Sequence, residues 1–76
     1  MLDPDAEFFA KRALDCAHMA LKRLDSLQIS VALNHHRMAD FEAQSAIRWT
    51  LEACRHVEIA EAFQRGEDAT ALIEAL

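Results

Sequence analysis

Helix-breaking residues are almost absent from this chain of 76 residues, which contains one proline, one glycine and no tyrosine. Pro4 and Gly66 bracket sixty-one residues that include neither proline nor glycine. Turn-rich all-β folds, collagen-like repeats and low-complexity chains need more of these residues, so the composition excludes them. Hydrophobic residues nevertheless make up 53% of the chain, and fifteen residues are alanine. The composition therefore predicts a small, almost wholly helical domain.

Cysteines and long apolar runs are also scarce. Two cysteines, Cys16 and Cys54, are too few for a disulfide framework. No apolar run approaches the ~20 residues that cross a bilayer, and the acidic first residues do not resemble a signal peptide. We expect one helical domain over residues 1–76, a cytoplasmic location with free thiols, and no membrane partner.

Charge is unevenly distributed along the chain. The net charge of −5 falls entirely on residues 39–76, because acidic and basic side chains balance over residues 1–38. Such a surface repels phosphate backbones, so we expect no nucleic-acid partner. It would suit a protein partner with a basic surface, although acidic residues also commonly serve only to keep a helix soluble. The predicted acidic partner surface consists of Glu52, Glu58 and Glu61.

Hydrophobic periodicity divides the chain into an antiparallel helical hairpin. Helix 1 is predicted over about residues 4–24, since Asp3 can cap it and Pro4 suits its first position. Weak helix formers after Asp25 favour a turn at about residues 25–29. Helix 2 would then extend over about residues 29–65 and end before Gly66. A short C-terminal helix is predicted over about residues 68–75.

Helix 2 carries two apolar stripes on opposite sides, and this pattern predicts a second subunit. One stripe, which includes Ile29, Ile47, Leu51 and Val57, would pack against helix 1. Helix 2 would overhang the shorter helix 1 by roughly 20 Å, leaving the other stripe uncovered. We therefore predict a dimeric helical bundle formed through that second stripe, with the interface residues Met38, Trp49, Ala53, His56, Ala60 and Phe63.

The spacing of histidine, cysteine and acidic residues offers little chemistry. Zinc-finger pairs and the Glu-x-x-His pairs of di-iron bundles are absent from the sequence. If the turn centres near residue 27, His18 and His36 lie at one level of the hairpin, with Asp40 one helical turn further on. These three residues are the candidate metal ligands. No nucleophile–base pair or glycine-rich phosphate loop is present, so we expect no enzyme activity and no cofactor.

Three interpretations of function follow from these patterns. The first is a small acidic helical protein–protein interaction module, a regulator, adaptor or inhibitor of a partner protein, that acts as a homodimer. The second is a metal- or ligand-binding helical bundle that uses His18, His36 and Asp40. The third is a small subunit of a larger hetero-complex, because a foreign partner and a second copy leave the same apolar stripe.

Overall fold

Three helices and no strand make up the part of the chain described by the computed structural model, residues 3–76. Helix α1 comprises Pro4–Ala32, α2 comprises His36–Gln64, and α3 comprises Thr70–Glu74. The two long helices have 29 residues each and pack side by side as an antiparallel hairpin. The short α3 contacts α2 beyond the hairpin's open end. The predicted all-α hairpin with a short C-terminal helix is confirmed.

Helix α1 begins as the sequence predicts. The Asp3 side chain accepts hydrogen bonds from the backbone N–H groups of Asp5 and Ala6 at 2.9 and 3.2 Å. Pro4 occupies the first turn, where its missing N–H costs no hydrogen bond. Asp5 and Glu7 place negative charge at the positive end of the helix dipole.

The predicted turn at residues 25–29 is wrong, because α1 continues to Ala32. The chain reverses instead at Asn34, which adopts a left-handed conformation with φ of 58°. The Asn34 N–H donates to the Val31 carbonyl, and the His35 N–H donates to the Ser30 carbonyl at 2.9 Å. This pair of bonds is the Schellman motif, which satisfies carbonyl groups at the end of a helix. Helix 1 is therefore longer than predicted and helix 2 shorter, beginning at His36 rather than near residue 29.

Gly66 ends α2 with the same motif, as the sequence predicts. Its φ is 73°, and the Glu67 N–H donates to the Ala62 carbonyl at 2.9 Å. Asp68 then accepts hydrogen bonds from the Thr70 N–H at 3.0 Å and from the Thr70 hydroxyl at 2.6 Å. These bonds place the start of α3 at Thr70, so the helix is shorter than the predicted span of about 68–75.

Alanines repeat every seven residues along the line where the two long helices meet. We call this line the alanine seam, and all its members are buried or half-buried: Ala6, Ala13 and Ala20 in α1, and Ala39, Ala46, Ala53 and Ala60 in α2. The residues that alternate with them also face the opposite helix: Phe9, Cys16, Arg23 and Ser30 in α1, and Glu42, Trp49, His56 and Phe63 in α2. A spacing of 3.5 residues is the repeat of a coiled coil. Small side chains on both sides let the two backbones approach closely.

Two contacts define the register of this antiparallel pair. The Ser30 hydroxyl donates to Glu42 Oε2 at 3.2 Å near the turn. At the open end, the rings of Phe9 and Phe63 are stacked with centroids 5.7 Å apart. The same register places Arg23 at the level of Trp49, and Cys16 at the level of His56.

The interior of the hairpin contains few large side chains. Ile59 is the one large residue that is fully buried among residues 3–76, in a cluster with Ala62 and Ala69 at the open end. The Cα atoms span 49 × 24 × 11 Å. The protein is thus a slab that is only one helix thick over most of its length.

Candidate interaction surface

Most of the residues predicted to form the dimer interface lie between α1 and α2 of the same chain. His56 is only 7% exposed, its Nδ1 lies 2.6 Å from the Glu52 carbonyl oxygen, and its ring is 6.1 Å from that of Phe9. Phe63 stacks on Phe9, and four members of the set are half-buried: Trp49, Ala53, Ala60 and Phe63. Met38 alone is exposed. Because the two helices are equally long, the overhang on which the interface prediction depended does not exist.

The stripe of α2 that was predicted to pack against helix 1 is instead largely exposed. Ile47, Leu51 and Val57 have exposed fractions of 60%, 50% and 43%. Ile29, which was assigned to the same stripe, lies in α1 and is 62% exposed. The helices meet through the alanines because two helices alone cannot enclose large aliphatic side chains on their flanks. The large residues need a further layer of protein to be buried.

Ile47, Leu51 and Val57 share one broad side of the slab with exposed aliphatic residues of α1. In each helix, the positions immediately beside the alanine seam on this side are apolar or uncharged over several turns. We call this surface the leucine face, and it consists of Ala10, Leu14, Ala17, Leu21, Leu24 and Val31 from α1, with Ala43, Ile47, Thr50, Leu51, Cys54 and Val57 from α2. The register brings Leu14 to the level of Val57, and Leu21 to the level of Leu51.

A groove on the leucine face crosses the junction between the two helices. Its volume is about 350 Å³, and its walls are almost entirely apolar. The residues that line it come from both helices: Leu24, Leu27, Ala43, Ala46, Ile47, Thr50 and Leu51. The groove has the form of a packing surface for another helix, since side chains of a partner could enter it between Leu24 and Ile47.

The three predicted acidic surface residues do not share one surface. Glu52 is half-buried on the side away from the leucine face, and its Oε1 lies 2.7 Å from Arg55 Nη1. Glu61 flanks the leucine face and lies 3.7 Å from Arg65 Nη1, while Glu58 is exposed at the outer edge of α2. The acidic residues are therefore distributed around the slab. The leucine face itself is bordered by Glu7, Asp40 and Glu61.

The structure separates the three candidate metal ligands. Within residues 3–76, no group of three or more His, Cys, Asp or Glu side chains is arranged to hold a metal ion. His18 lies at the level of Cys54, whereas His36 is the first residue of α2 beside the turn. At 1.5 Å per residue, about 25 Å of helix separate the two imidazoles. The proposed alignment depended on a turn near residue 27, so it fails with that turn.

The two thiols occupy different environments. Cys16 is buried in the line of contact between the helices, and Cys54 is exposed on the leucine face; neither forms a disulfide. Over the described range, no helix combines the length and the apolar character needed to cross a bilayer.

Sequence reasoning missed the leucine face because it assigned the largest apolar residues to the core. The signal that would have located the core is the seven-residue spacing of the alanines in both helices, which is visible in the sequence. Comparison with protein-family models, with curated proteins and with solved structures gave no significant match for this chain.

Proposed function

We propose that this protein is a protein–protein interaction module that associates with a second copy through the leucine face. One observation carries the proposal: a slab one helix thick exposes a continuous row of large aliphatic side chains on one broad side. Stable domains are built from two or more packed layers around a core. A second hairpin placed on the leucine face would provide the missing layer and complete a four-helix bundle.

The size of the face fits a stable dimer. The broad side of the slab measures 49 by 24 Å between its outermost Cα atoms. The whole broad side, of which the leucine face is a part, therefore has an area of about 1,100 Å², compared with the ~800 Å² per partner of a typical specific interface. Interfaces between copies are also more apolar than the rest of a protein surface, which agrees with the composition of the leucine face.

The energy available from burial is comparable to the cost of association. Six large residues of the face, Leu14, Leu21, Leu24, Ile47, Leu51 and Val57, are each at least 43% exposed. Covering the exposed half of such a side chain contributes about 1 kcal/mol, which gives on the order of 12 kcal/mol for the two copies. Association costs about 4–15 kcal/mol, and a micromolar dimer needs about 8 kcal/mol net, so burial of these six residues supports such a dimer when the cost lies near the lower end of its range.

The pattern of side-chain sizes also suits helix packing. Small residues, such as Ala10 and Ala17, alternate with large ones, such as Leu14 and Leu21, along the same flank of α1. Alternation of this kind gives knobs on one helix and holes for the knobs of its partner. The resulting dimer would act by binding another protein, as a regulator, adaptor or inhibitor.

Sedimentation equilibrium of the full chain tests the proposal. We expect a dimer at micromolar concentration for the natural sequence and a monomer for the double variant L21E/I47E, because the substitutions place charges inside the interface. The matched control is I29E, since Ile29 is 62% exposed but lies outside the leucine face; it should remain dimeric. A natural chain that is monomeric at 100 µM would exclude the homodimer. The leucine face would then be expected to bind a different chain, as in a subunit of a hetero-complex.

A further inference from the structure

The broad side opposite the leucine face carries most of the positive charge of the protein. Five of the eight basic residues belong to this side or point toward it from between the helices: Arg12, Lys22, Arg23, Arg48 and Arg55. The acidic residues on the same side are Asp5, Asp15 and Glu52. A chain with a net charge of −5 thus presents one face on which basic residues outnumber acidic ones.

Four of these cations lie within about two helical turns of the level of Trp49, near the middle of the slab. We call the group Lys22, Arg23, Arg48 and Arg55 the basic patch. The register places Lys22 and Arg23 of α1 at the level of Trp49, and Arg48 directly precedes it in α2. Arg55 follows about 9 Å further along the helix, at 1.5 Å per residue.

The arginines of the basic patch have few acidic partners within the chain. Among residues 3–76, Arg55 is the one member that forms an ion pair, with Glu52. Arg23 is half-buried, and its buried Nε has no hydrogen-bond partner. This unpaired N–H is costly, because a buried donor without an acceptor has lost its hydration.

A shallow groove runs along α2 beside Trp49 and reaches around the outer edge of the helix to Leu51, which also belongs to the leucine face. Its volume is about 390 Å³, and its lining combines positive charge with the side of an aromatic ring: Ser45, Arg48, Trp49, Leu51, Glu52 and Arg55. Guanidinium groups bind carboxylates through paired hydrogen bonds, and tryptophan contributes strongly to protein interfaces. The groove therefore has groups for both carboxylate and apolar side chains of a ligand.

We infer that the basic patch and the groove beside Trp49 form a docking surface for an acidic peptide segment of a partner protein. Carboxylates of the segment would bind Arg48, Arg55 and Lys22, and an apolar side chain of the segment would contact Trp49. A nucleic acid fits less well, because an extended phosphate backbone would continue past the patch over acidic surface, whereas a short acidic segment can end within the patch. In the dimer proposed above, Leu51 at the edge of the groove would be covered, while Arg48 and Arg55 of both copies would stay exposed, so one dimer could bind two segments.

Binding can be measured through the fluorescence of Trp49, the single tryptophan of the chain. The probe is a synthetic peptide that repeats Glu-Glu-Leu, titrated into the full-length protein at low salt. We expect the Trp49 fluorescence to change saturably with the concentration of this peptide, and the apparent affinity to fall as salt is added. A peptide that repeats Lys-Lys-Leu should cause no saturable change in fluorescence. Absence of saturation up to about 1 mM, or equal binding of both peptides, would overturn the inference.

Charge-reversal variants connect the binding to the basic patch. We expect R48E/R55E to bind the Glu-Glu-Leu peptide at least tenfold more weakly, as measured by a competition assay with a dye-labelled peptide. The control K11E/R37E makes the same change in net charge at exposed positions outside the patch and should bind as the natural chain does. An equal loss in the control, or tighter binding of oligothymidylate than of the peptide, would contradict the inference. Circular dichroism and sedimentation of each variant separate loss of folding or of the dimer from loss of the patch.

Discussion

At the scale of single residues, the size of the seam alanines sets how closely the two helices approach. Ala20 is only 6% exposed and faces α2. We expect A20L to destabilise the protein by about 1–3 kcal/mol, because the added atoms have no space between two closely packed backbones. Urea unfolding followed by circular dichroism measures the change. The control A32L adds the same atoms at an exposed position of α1 and should change stability by less than ~0.5 kcal/mol. Equal effects at the two positions would show that the seam is not tightly packed.

The buried pair Ser30–Glu42 offers a second test at this scale. Glu42 is 7% exposed and Ser30 is 5% exposed, and the serine hydroxyl donates the one side-chain hydrogen bond found for this carboxylate. We expect S30A to cost about 1–3 kcal/mol, because a buried acceptor loses its donor. The double variant S30A/E42M should recover the loss, since an apolar pair needs no hydrogen bond. Thermal unfolding of both variants and of the half-buried control S26A checks this expectation. No recovery in the double variant would contradict it.

At the scale of elements, two residues with a left-handed backbone conformation determine where the long helices end. Asn34 and Gly66 hold the same position in the same hydrogen-bonded motif. We expect N34G to preserve or raise stability and N34A to lower it by about 1 kcal/mol, because alanine strains at a positive φ and glycine does not. Both substitutions remove the asparagine side chain, so the difference between their midpoints of urea unfolding reports the backbone conformation alone. Equal midpoints would contradict the left-handed turn.

The stability of the first turn of α3 should depend on pH. The hydrogen bonds from Thr70 lower the pKa of Asp68 below its usual range. A carboxyl with a lowered pKa in the folded state stabilises that state above its unfolded pKa, and the stabilisation is lost as the pH falls through the lowered value. We expect α3 to fray as the pH drops below about 4, while α1 and α2 stay helical. Amide-resolved NMR of Thr70 to Glu74 measures this. In the D68N variant, fraying should be independent of pH over the same range.

At the scale of the whole molecule, the missing second layer links stability to concentration. If the leucine face is covered by a second copy, the midpoint of thermal unfolding must rise with protein concentration. We expect a clear rise between about 1 and 100 µM for the natural chain and for I29E. The variant L21E/I47E should show a lower midpoint that does not change with concentration. A midpoint that is constant for the natural chain would argue against self-association.

The predictable part of the fold came from residues whose effect is local. Pro4 and Asp3 begin α1, and Gly66 ends α2, where the sequence placed these boundaries. The turn was less predictable, because Asn34 adopts at the end of α1 the positive φ that glycine usually and asparagine only sometimes provides. Residues 25–29 are mediocre helix formers, but their combined preference is too small to interrupt a helix that packs along its whole length.

The candidate surface was less predictable, because both flanks of the α2 seam carry apolar residues. The sequence identified two stripes but assigned the leucine-rich one to the core and the one with Trp49, His56 and Phe63 to the interface. The structure centres the contact on Ala39, Ala46, Ala53 and Ala60, and two of these, Ala53 and Ala60, belong to the stripe that the sequence assigned to the interface. Which residues of α2 face α1 depends on how closely the two backbones can approach each other. This distance is a property of the helix pair and not of either helix alone.

The sequence by itself determined that the chain is helical, where its first helix begins, where its second ends, and that its apolar residues exceed what one hairpin can bury. These properties follow from propensity, capping and periodicity, which act over a few residues. Only the tertiary structure decided where the chain reverses and which flank faces inward. The turn at Asn34 makes the two helices equally long and aligns alanine with alanine, so the helices meet at close range and the leucines remain outside.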